Sequence, residues 1–257
     1  MEWNIIHLEE TDSTNRYLRE LPADDDFVAV TADYQTAGRG QGSNSWESER
    51  GKNLLFSLRI RPTMVAPARQ FVLSMAGALA LKSALDSYTD GITLKWPNDV
   101  YWNDRKISGT LIETSVADNM LKTCIFGIGI NINQEQFLSD APNPVSLRQI
   151  LGREIPVEEV FKKVLEGFEK EYLCVERGDY DDISTRYHQA LYRRTGFHRY
   201  SDKDGAFDAE IVGVRPTGHL HLRDRHGETR EYAFKEVTYI IQQITNQQLW
   251  HDSKEFS

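Results

Sequence analysis

The most constraining feature of the sequence is an apolar segment at 122–133 that contains two glycines. Its apolar and β-branched residues predict a buried β-strand. Gly127 and Gly129 remove side chains from that strand, and glycines inside a strand often mark the close approach of a ligand or of another backbone segment. Asn131 adds an amide with two donors and one acceptor. The segment therefore predicts either the floor of a binding site or only a tight strand crossing followed by a turn.

Strand and helix patterns are mixed along most of the chain, which predicts an α+β fold. Predicted strands lie at 5–8, 27–31, 53–60, 93–96, 106–113 and 122–133. Predicted helices follow the turn at 11–15 and cover 71–85, 157–172 and 183–193. A polar turn at 103–104 is predicted to join 93–96 to 106–113. Ser13 suits the N-cap of the first helix, so a capping role is one interpretation of that residue.

The pattern changes near Thr195. Three short alternating strands are predicted at 207–214, 219–224 and 231–240, with turn residues at 216–218 and 226–227 between them. This spacing is typical of a small β-barrel. We therefore predict a catalytic or binding domain at 1–194, a C-terminal β domain at 195–246 and a polar tail at 247–257.

Composition excludes several classes of protein. The net charge of -9 repels phosphate backbones, so general nucleic-acid binding is not expected. Cys124 and Cys174 are too few for a disulfide framework and favour a reduced compartment. The N-terminus has no signal-peptide pattern, and no apolar run approaches the ~20 residues of a membrane span, so we expect a soluble, cytoplasmic protein. His219 and His221 have no third ligand at metal-binding spacing and are interpreted as surface residues.

A Gly-rich loop follows the second predicted strand and reads Gly38-Arg39-Gly40-Gln41-Gly42. Closely spaced glycines let backbone N–H groups turn toward an anion, and an arginine adds a permanent charge. The loop lacks the Gly-Lys-Ser/Thr ending of a P-loop. Anion binding is one interpretation, and a flexible surface loop with a single arginine is the other.

A second charged motif reads Lys95-Trp96-Pro97-Asn98-Asp99, and Lys106 follows it after the predicted turn. A lysine ammonium is a compact charge that suits a phosphate or carboxylate oxygen. An edge hairpin with solvated charges would give the same pattern, so these residues alone leave both interpretations open.

Taken together, five segments (11–15, 35–40, 95–99, 106–109 and 127–131) resemble the catalytic domain of biotin protein ligases in order and spacing. The resemblance is specific over about 5–133 and weaker over the rest of the chain. It implies a class II synthetase-like fold, a mixed sheet with helices, followed by a small SH3-like β-barrel. It also implies an enzyme that forms biotinyl-5′-AMP from biotin and ATP. That enzyme then transfers biotin to a lysine of a biotin carboxyl carrier protein, such as that of acetyl-CoA carboxylase.

The resemblance also implies which residues of this chain form the binding sites. Its expected biotin site comprises Ser13, Thr14, Asn15, Gln35, Gly38, Arg39, Gly40, Gln41, Lys106, Gly109, Gly127 and Gly129. Its expected ATP site comprises Arg39, Trp46, Lys95, Asn98, Lys106 and Asn131, with Arg39, Lys106 and Asp99 in catalytic roles. Hydroxyl and amide groups suit the ureido ring of biotin, and cations stabilise charge gathering at the α-phosphorus. Mg²⁺ is expected on the phosphates, with no all-protein metal site.

The sequence departs from the family pattern in two places. Many relatives carry further basic residues just after Gly40, whereas 41–44 here reads Gln-Gly-Ser-Asn, so we expect weaker retention of the adenylate. Few residues precede Ser13, so neither a helix-turn-helix nor a repressor activity is expected. A lipoate ligase and a non-catalytic biotin or nucleotide sensor remain the alternatives. The sequence leaves open the acceptor protein, the choice between monomer and homodimer, and the role of the C-terminal β domain.

Overall fold

The computed structural model describes residues 2–22, 25–42, 44–139 and 143–242, and the predicted tail at 247–257 lies outside them. The strands are β1 Asn4–Leu8, β2 Val28–Ala32, β3 Leu54–Ile60, β4 Ile92–Lys95, β5 Asp99–Trp102, β6 Arg105–Ala117, β7 Met120–Ile130, β8 His198–Asp202, β9 Gly205–Val214, β10 Leu220–Asp224, β11 Thr229–Tyr232 and β12 Thr238–Tyr239. The helices are α1 Thr14–Glu20, α2 Phe71–Asp86, α3 Leu147–Leu151, α4 Val157–Arg177 and α5 Tyr180–Gln189, with a 3-10 helix at Pro67–Arg69. None of these described helices is long and apolar enough to cross a membrane.

The larger sheet has seven strands in the order β1-β2-β3-β7-β6-β5-β4. β1 pairs with β2 in parallel, and the remaining neighbours are antiparallel. The predicted α+β class with a mixed sheet and helices is therefore confirmed. β3 is buried along its whole length and pairs with β7, so these two strands form the centre of the sheet.

One face of this sheet is covered by α2 and α4. Phe126 of β7 packs edge to face against Phe168 of α4, with ring centroids 5.2 Å apart. The helices approach closely because Gly167 has no side chain, and a methyl group there would lie 2.9 Å from the Ala80 carbonyl oxygen. Burying side chains such as these phenylalanines contributes about 1.5–3 kcal/mol each. Most of the hydrophobic core lies in this layer.

The opposite face is covered only in part. There α1 buries Leu18 against Val30 and Ile125 in a smaller cluster. Because side chains alternate across a strand, Gly127 and Gly129 lie on the same face as Ile125. This part of the sheet therefore carries no side chains of its own at two alternate positions of β7.

One predicted hairpin is wrong. The turn at 103–104 joins β5 to β6, and a separate turn at Trp96-Pro97 joins β4 to β5. The segment 93–113 thus forms three strands rather than two. β5 was missed because it has only four residues and begins directly after Pro97-Asn98, which are turn-forming residue types.

The second sheet has five antiparallel strands in the order β11-β10-β9-β8-β12. The predicted strands at 207–214 and 219–224 are confirmed, but β8 was missed and 231–240 splits into β11 and β12. The split occurs at a turn in which Lys235 has a φ of +71°, and no glycine or proline announces that turn in the sequence. The boundary predicted at 194/195 stays a prediction.

Candidate active site

A cavity of about 950 Å³ opens over the glycine-bearing part of the larger sheet. Its walls come from the N-terminus of α1, the Gly-rich loop, strands β4 to β7 and the end of the second sheet. Every residue that the sequence predicted for catalysis or binding lines this cavity, with the single exception of Gly38. Five separate segments of the chain therefore converge on one space.

Glycines form the floor of the cavity. Gly109 of β6 and Gly129 of β7 are cross-strand partners, and the Trp46 ring lies over both. A methyl group on Gly129 would meet the Trp46 ring at under 3.0 Å, and one on Gly127 would meet the Asn15 amide equally closely. The close approach that the glycines predicted is thus made by Trp46 and Asn15. Both glycines line the cavity, and their contact with a ligand stays a prediction.

Hydroxyl and amide groups gather at the α1 end of the cavity. Ser13 occupies the N-cap position of α1, but its side chain makes no capping hydrogen bond, so a simple capping role is wrong. The Gln35 side-chain oxygen Oε1 accepts hydrogen bonds from the Thr14 backbone N–H at 2.8 Å and from the Thr14 hydroxyl at 3.2 Å. These bonds fix the turn before α1 against the segment that leads into the Gly-rich loop.

Ser57 of β3 supports this end from below. Its hydroxyl contacts the Thr14 hydroxyl at 2.7 Å and the Asn15 side-chain oxygen Oδ1 at 2.5 Å, and the residue is fully buried. The Asn15 amide nitrogen in turn donates to Glu113 at 2.9 Å. No sequence pattern pointed to Ser57 or Glu113, because their roles depend on how β3 and β6 pair with distant strands.

The Gly-rich loop folds back on itself as a short hairpin. The Trp46 amide donates to the Gly38 carbonyl at 2.9 Å, and the Gly40 amide donates to the Asn44 carbonyl at 2.7 Å. A methyl group on Gly38 would lie 2.7 Å from the Trp46 carbonyl oxygen. Gly38 therefore permits backbone packing within the loop, and the prediction that it contacts ligand receives no support from its position outside the cavity wall.

Arg39 projects from this loop toward the α1 end. Its guanidinium lies 3.6 Å from the Glu113 carboxylate, which also pairs with Arg19 at 2.5 Å. Glu113 is thus shared by two arginines and by Asn15. The shared carboxylate orients Arg39 while leaving 40% of its side chain exposed to the cavity and solvent.

Lys95, Asp99 and Lys106 form a charge cluster on the other side of the floor. The Asp99 carboxylate lies 2.7 Å from Lys106 Nζ and 3.8 Å from Lys95 Nζ. Lys106 Nζ also lies 5.7 Å from the centre of the Trp46 ring. Two cations therefore face one anion here, which leaves a net positive charge beside the aromatic ring.

Burial tunes this cluster. It lowers the pKa of Lys95, and the nearby positive charge of Lys106 acts in the same direction, while Asp99 opposes both. The rings of Tyr101 and Tyr239 lie 5.3 and 4.7 Å from Lys95 Nζ. Burial also raises the pKa of Tyr101, so that phenol stays neutral. An anion bound here would raise the pKa of Lys95 again.

Two predicted amide side chains are used by the protein itself. The Asn98 amide nitrogen donates to the Gln41 side chain at 2.9 Å and to the Thr110 carbonyl, which ties the loop to the sheet. The buried Asn131 amide nitrogen donates to the Val145 carbonyl at 3.2 Å. Both residues line the cavity, but part of their hydrogen-bonding capacity organises its walls.

The second sheet closes the cavity, which answers one question that the sequence left open. Its contributing residues are Phe234, Lys235, Val237, Thr238, Tyr239 and Ile241. It is attached to the larger sheet through Trp96, whose indole N–H donates to the Gly218 carbonyl at 2.8 Å. Sequence patterns did not reveal these wall residues, since the contacts join segments more than a hundred residues apart.

Comparisons with known proteins agree on one family. Residues 8–131 match the biotin/lipoate A/B protein ligase family. The bifunctional ligase/repressor BirA of Bacillus spizizenii is 28% identical over 243 residues, which cover 91% of this chain and 73% of that protein. The biotin–[acetyl-CoA-carboxylase] ligase of Paracoccus denitrificans is 29% identical over 235 residues, covering 86% of this chain and 94% of that one. The solved biotin protein ligase of Aquifex aeolicus, in complex with biotin and ATP, superimposes with a TM-score of 0.77 at 27% identity and covers 93% of this chain and 99% of that one.

Proposed function

The chain belongs to the biotin/lipoate A/B protein ligase family, and from that premise we propose that it is an ATP-dependent biotin protein ligase. It joins biotin to AMP and then transfers biotin to a lysine of a biotin carboxyl carrier protein. The observation that carries this proposal is the convergence of Arg39, Lys106 and a hydroxyl- and amide-rich end on one cavity. A vitamin acid and a nucleotide phosphate need these groups at adjoining positions.

The biotin ring is proposed to bind at the α1 end. The ureido group has two N–H donors and one carbonyl acceptor, and leaving such a group buried without partners costs about 1–3 kcal/mol. Ser13 and Asn15 supply partners of the required kind, and Gly127 leaves room for the Asn15 side chain. The Ser13 hydroxyl makes no capping bond, which favours a ligand as its partner. The carboxylate tail then extends toward Arg39 and Lys106.

In the first half-reaction, a biotin carboxylate oxygen attacks the α-phosphorus of ATP. The new oxygen–phosphorus bond forms as the bond to pyrophosphate breaks, so biotinyl-5′-AMP and pyrophosphate result. Negative charge on the α-phosphoryl oxygens is greatest in the transition state. Fixed cations stabilise that state more than the ground state, and this is the role proposed for Arg39 and Lys106. Asp99 positions Lys106 through their 2.7 Å ion pair.

In the second half-reaction, a neutral lysine amine of the carrier attacks the acyl carbon of the mixed anhydride. The amide bond forms, the carbon–oxygen bond breaks, and AMP leaves with its phosphate. The attacking nitrogen loses a proton, and Asp99 is the proposed acceptor because its carboxylate lies at the reacting end of the cavity. The Gly-rich loop must exclude water meanwhile, since water would hydrolyse the intermediate.

The adenine is proposed to stack on Trp46, with Asn131 at its edge and Lys95 and Asn98 nearer the phosphates. Mg²⁺ is proposed to arrive with ATP, since it usually binds phosphates together with one or two carboxylates. In the part of the chain that the structure describes, no group of three or more metal-binding side chains comes together.

A biotin-dependent ATP–pyrophosphate exchange assay tests the first half-reaction. We expect exchange with the wild type and losses of about a hundredfold for Lys106→Ala and Arg39→Ala, as for removal of a transition-state charge partner. Lys203→Ala serves as the matched control, because Lys203 is exposed and does not line the cavity. Exchange that depends on lipoate instead of biotin would favour a lipoate ligase. Biotin binding without any exchange would favour a sensor and overturn the proposal.

The acceptor is proposed to be the carrier domain of a biotin-dependent carboxylase, by analogy with the named Paracoccus relative. We further propose that the chain acts in the cytoplasm and does not repress transcription, since its net charge of -9 opposes binding to DNA. Transfer of labelled biotin to a purified carrier domain tests the acceptor. Failure to shift a DNA fragment at low salt is the expected result of the second test, and a salt-sensitive shift would contradict it.

A further inference from the structure

The tip of the Gly-rich loop contacts a lysine of the second sheet. A methyl group on Gly42 would lie under 3.0 Å from Lys235 Nζ, so the ammonium lies directly against this glycine. Lys235 lines the same cavity as the loop residues Gln41 and Asn44. The stretch 41–44 itself carries no cation. Lys235, from a distant part of the chain, therefore brings a positive charge to the part of the loop after Arg39 and Gly40.

The backbone holds Lys235 in this position. The residue has a φ of +71°, in the left-handed region that most side chains disfavour. Its turn is closed by two hydrogen bonds: the Glu236 amide donates to the Ala233 carbonyl at 3.2 Å, and the Glu236 carboxylate accepts from the Ala233 amide at 2.7 Å. Phe234 packs against Trp96 at 6.2 Å between ring centroids. The turn is thus fixed against the wall of the cavity.

Carboxylates of the cavity wall are engaged elsewhere. Asp99 pairs with Lys106 at 2.7 Å. Glu47 accepts hydrogen bonds from the backbone amides of Leu138 at 2.8 Å and Ser139 at 2.7 Å. The charge of Lys235 is therefore available to an anion held between the loop and the second sheet.

Resting on the proposed function, we propose that Lys235 binds the phosphate of biotinyl-5′-AMP across the tip of the Gly-rich loop and slows release of this intermediate. One exposed ammonium contributes modestly to binding and is screened by salt. The second sheet thereby acts in retaining the intermediate as well as in closing the cavity.

Release of the intermediate from the full chain tests this proposal. The enzyme is charged with biotin and labelled ATP, freed of excess substrates, and followed as biotinyl-5′-AMP appears in the filtrate. We expect Lys235→Met to release it about twofold to fivefold faster at low salt, the size expected for one exposed charge pair. The difference should shrink at high salt. The Michaelis constant for biotin should not change.

Three further variants make the outcome decisive. Lys235→Arg should release the intermediate at the wild-type rate, since it keeps the charge. Lys203→Met should also match the wild type, because this exposed lysine lies in the turn between β8 and β9, outside the cavity wall. Gln41→Arg added to Lys235→Met should restore slow release, because it returns a cation to the loop.

Two results would overturn the Lys235 proposal while leaving the proposed function intact. One is wild-type release from Lys235→Met, and the other is an acceleration that salt does not change. Failure of the wild type to form any biotinyl-5′-AMP would instead overturn the proposed function, and this proposal with it. The two failures are therefore distinguishable in one experiment.

Discussion

The two faces of strand β7 have opposite roles, although they belong to the same run of residues. On one face Phe126 and its neighbours pack under α2 and α4 and form the core. On the other face Gly127 and Gly129 leave room for Asn15 and Trp46 and form the floor of the cavity. The alternation of side chains in a strand lets one segment stabilise the fold and shape a site at once. Substitutions one residue apart should therefore affect different properties.

The largest effect is expected on the core face. Phe126→Ala should lower the free energy of unfolding by about 3–5 kcal/mol, because it leaves a cavity where the ring packed against Phe168. Denaturant unfolding measures this change. The Michaelis constants of the folded fraction should stay close to those of the wild type. A large change in substrate binding without a loss of stability would break the distinction between the two faces.

Substitutions on the glycine face of β7 should instead weaken substrate binding. Gly129→Ala forces the Trp46 ring to move, at a cost of about 1–3 kcal/mol, so we expect the affinity for ATP to fall about tenfold. Gly127→Ala meets the Asn15 amide instead and should weaken biotin binding by a similar factor. Calorimetric titration with each substrate separates the two effects. If both variants weakened the binding of the same substrate only, the proposed assignment of Gly129 to the ATP site and Gly127 to the biotin site would be wrong.

Proton uptake on ATP binding should test the charge cluster of Lys95, Asp99 and Lys106. Burial lowers the pKa of Lys95, and a bound phosphate should raise it again. At a pH between the pKa of Lys95 in the free protein and its pKa in the ATP complex, ATP binding takes up protons. The affinity for ATP should therefore fall as the pH rises through this range. Titrations above about pH 8, where the phosphates are fully ionised, in buffers of different ionisation enthalpy measure the uptake. Lys95→Met should reduce it, and unchanged uptake would contradict the assignment.

The smallest expected effect concerns the loop. Gln41 lies in the Gly-rich loop, and its side chain accepts a hydrogen bond from Asn98. Gln41→Arg should slow release of biotinyl-5′-AMP by about twofold to fivefold, as for one exposed charge pair. Gln41→Met, which loses the Asn98 bond without adding charge, is the matched control. Equal rates of biotinyl-5′-AMP release from Gln41→Arg and the wild type would contradict the hypothesis that this loop retains the intermediate weakly.

Local patterns predicted much of the fold. The apolar run at 122–133 was confirmed as a buried strand, and the spacing at 71–85 was confirmed as helix α2. Charged and glycine motifs also pointed to the cavity, because the types of side chain that bind anions are few. In each case the signal lay within a short stretch of sequence.

Long-range features were not predictable in this way. Ser57, Glu113 and Lys235 reach the site or its supports only because β3, β6 and the second sheet are placed beside distant segments. β5 was missed because four residues after a proline carry little strand signal. Gly38 belongs to the predicted Gly-rich motif, but its lack of a side chain allows close backbone packing within the loop, and it does not line the cavity.

The central claim is that the glycine-floored cavity joins biotin to AMP. The most direct test incubates the purified chain with biotin, ATP and Mg²⁺ and identifies the protein-bound small molecule by mass spectrometry. We expect biotinyl-5′-AMP at about one molecule per chain, lost on addition of a carrier domain as biotin appears on its lysine. Recovery of unreacted biotin and ATP, or of an adenylate of a different acid when biotin is present, would contradict it.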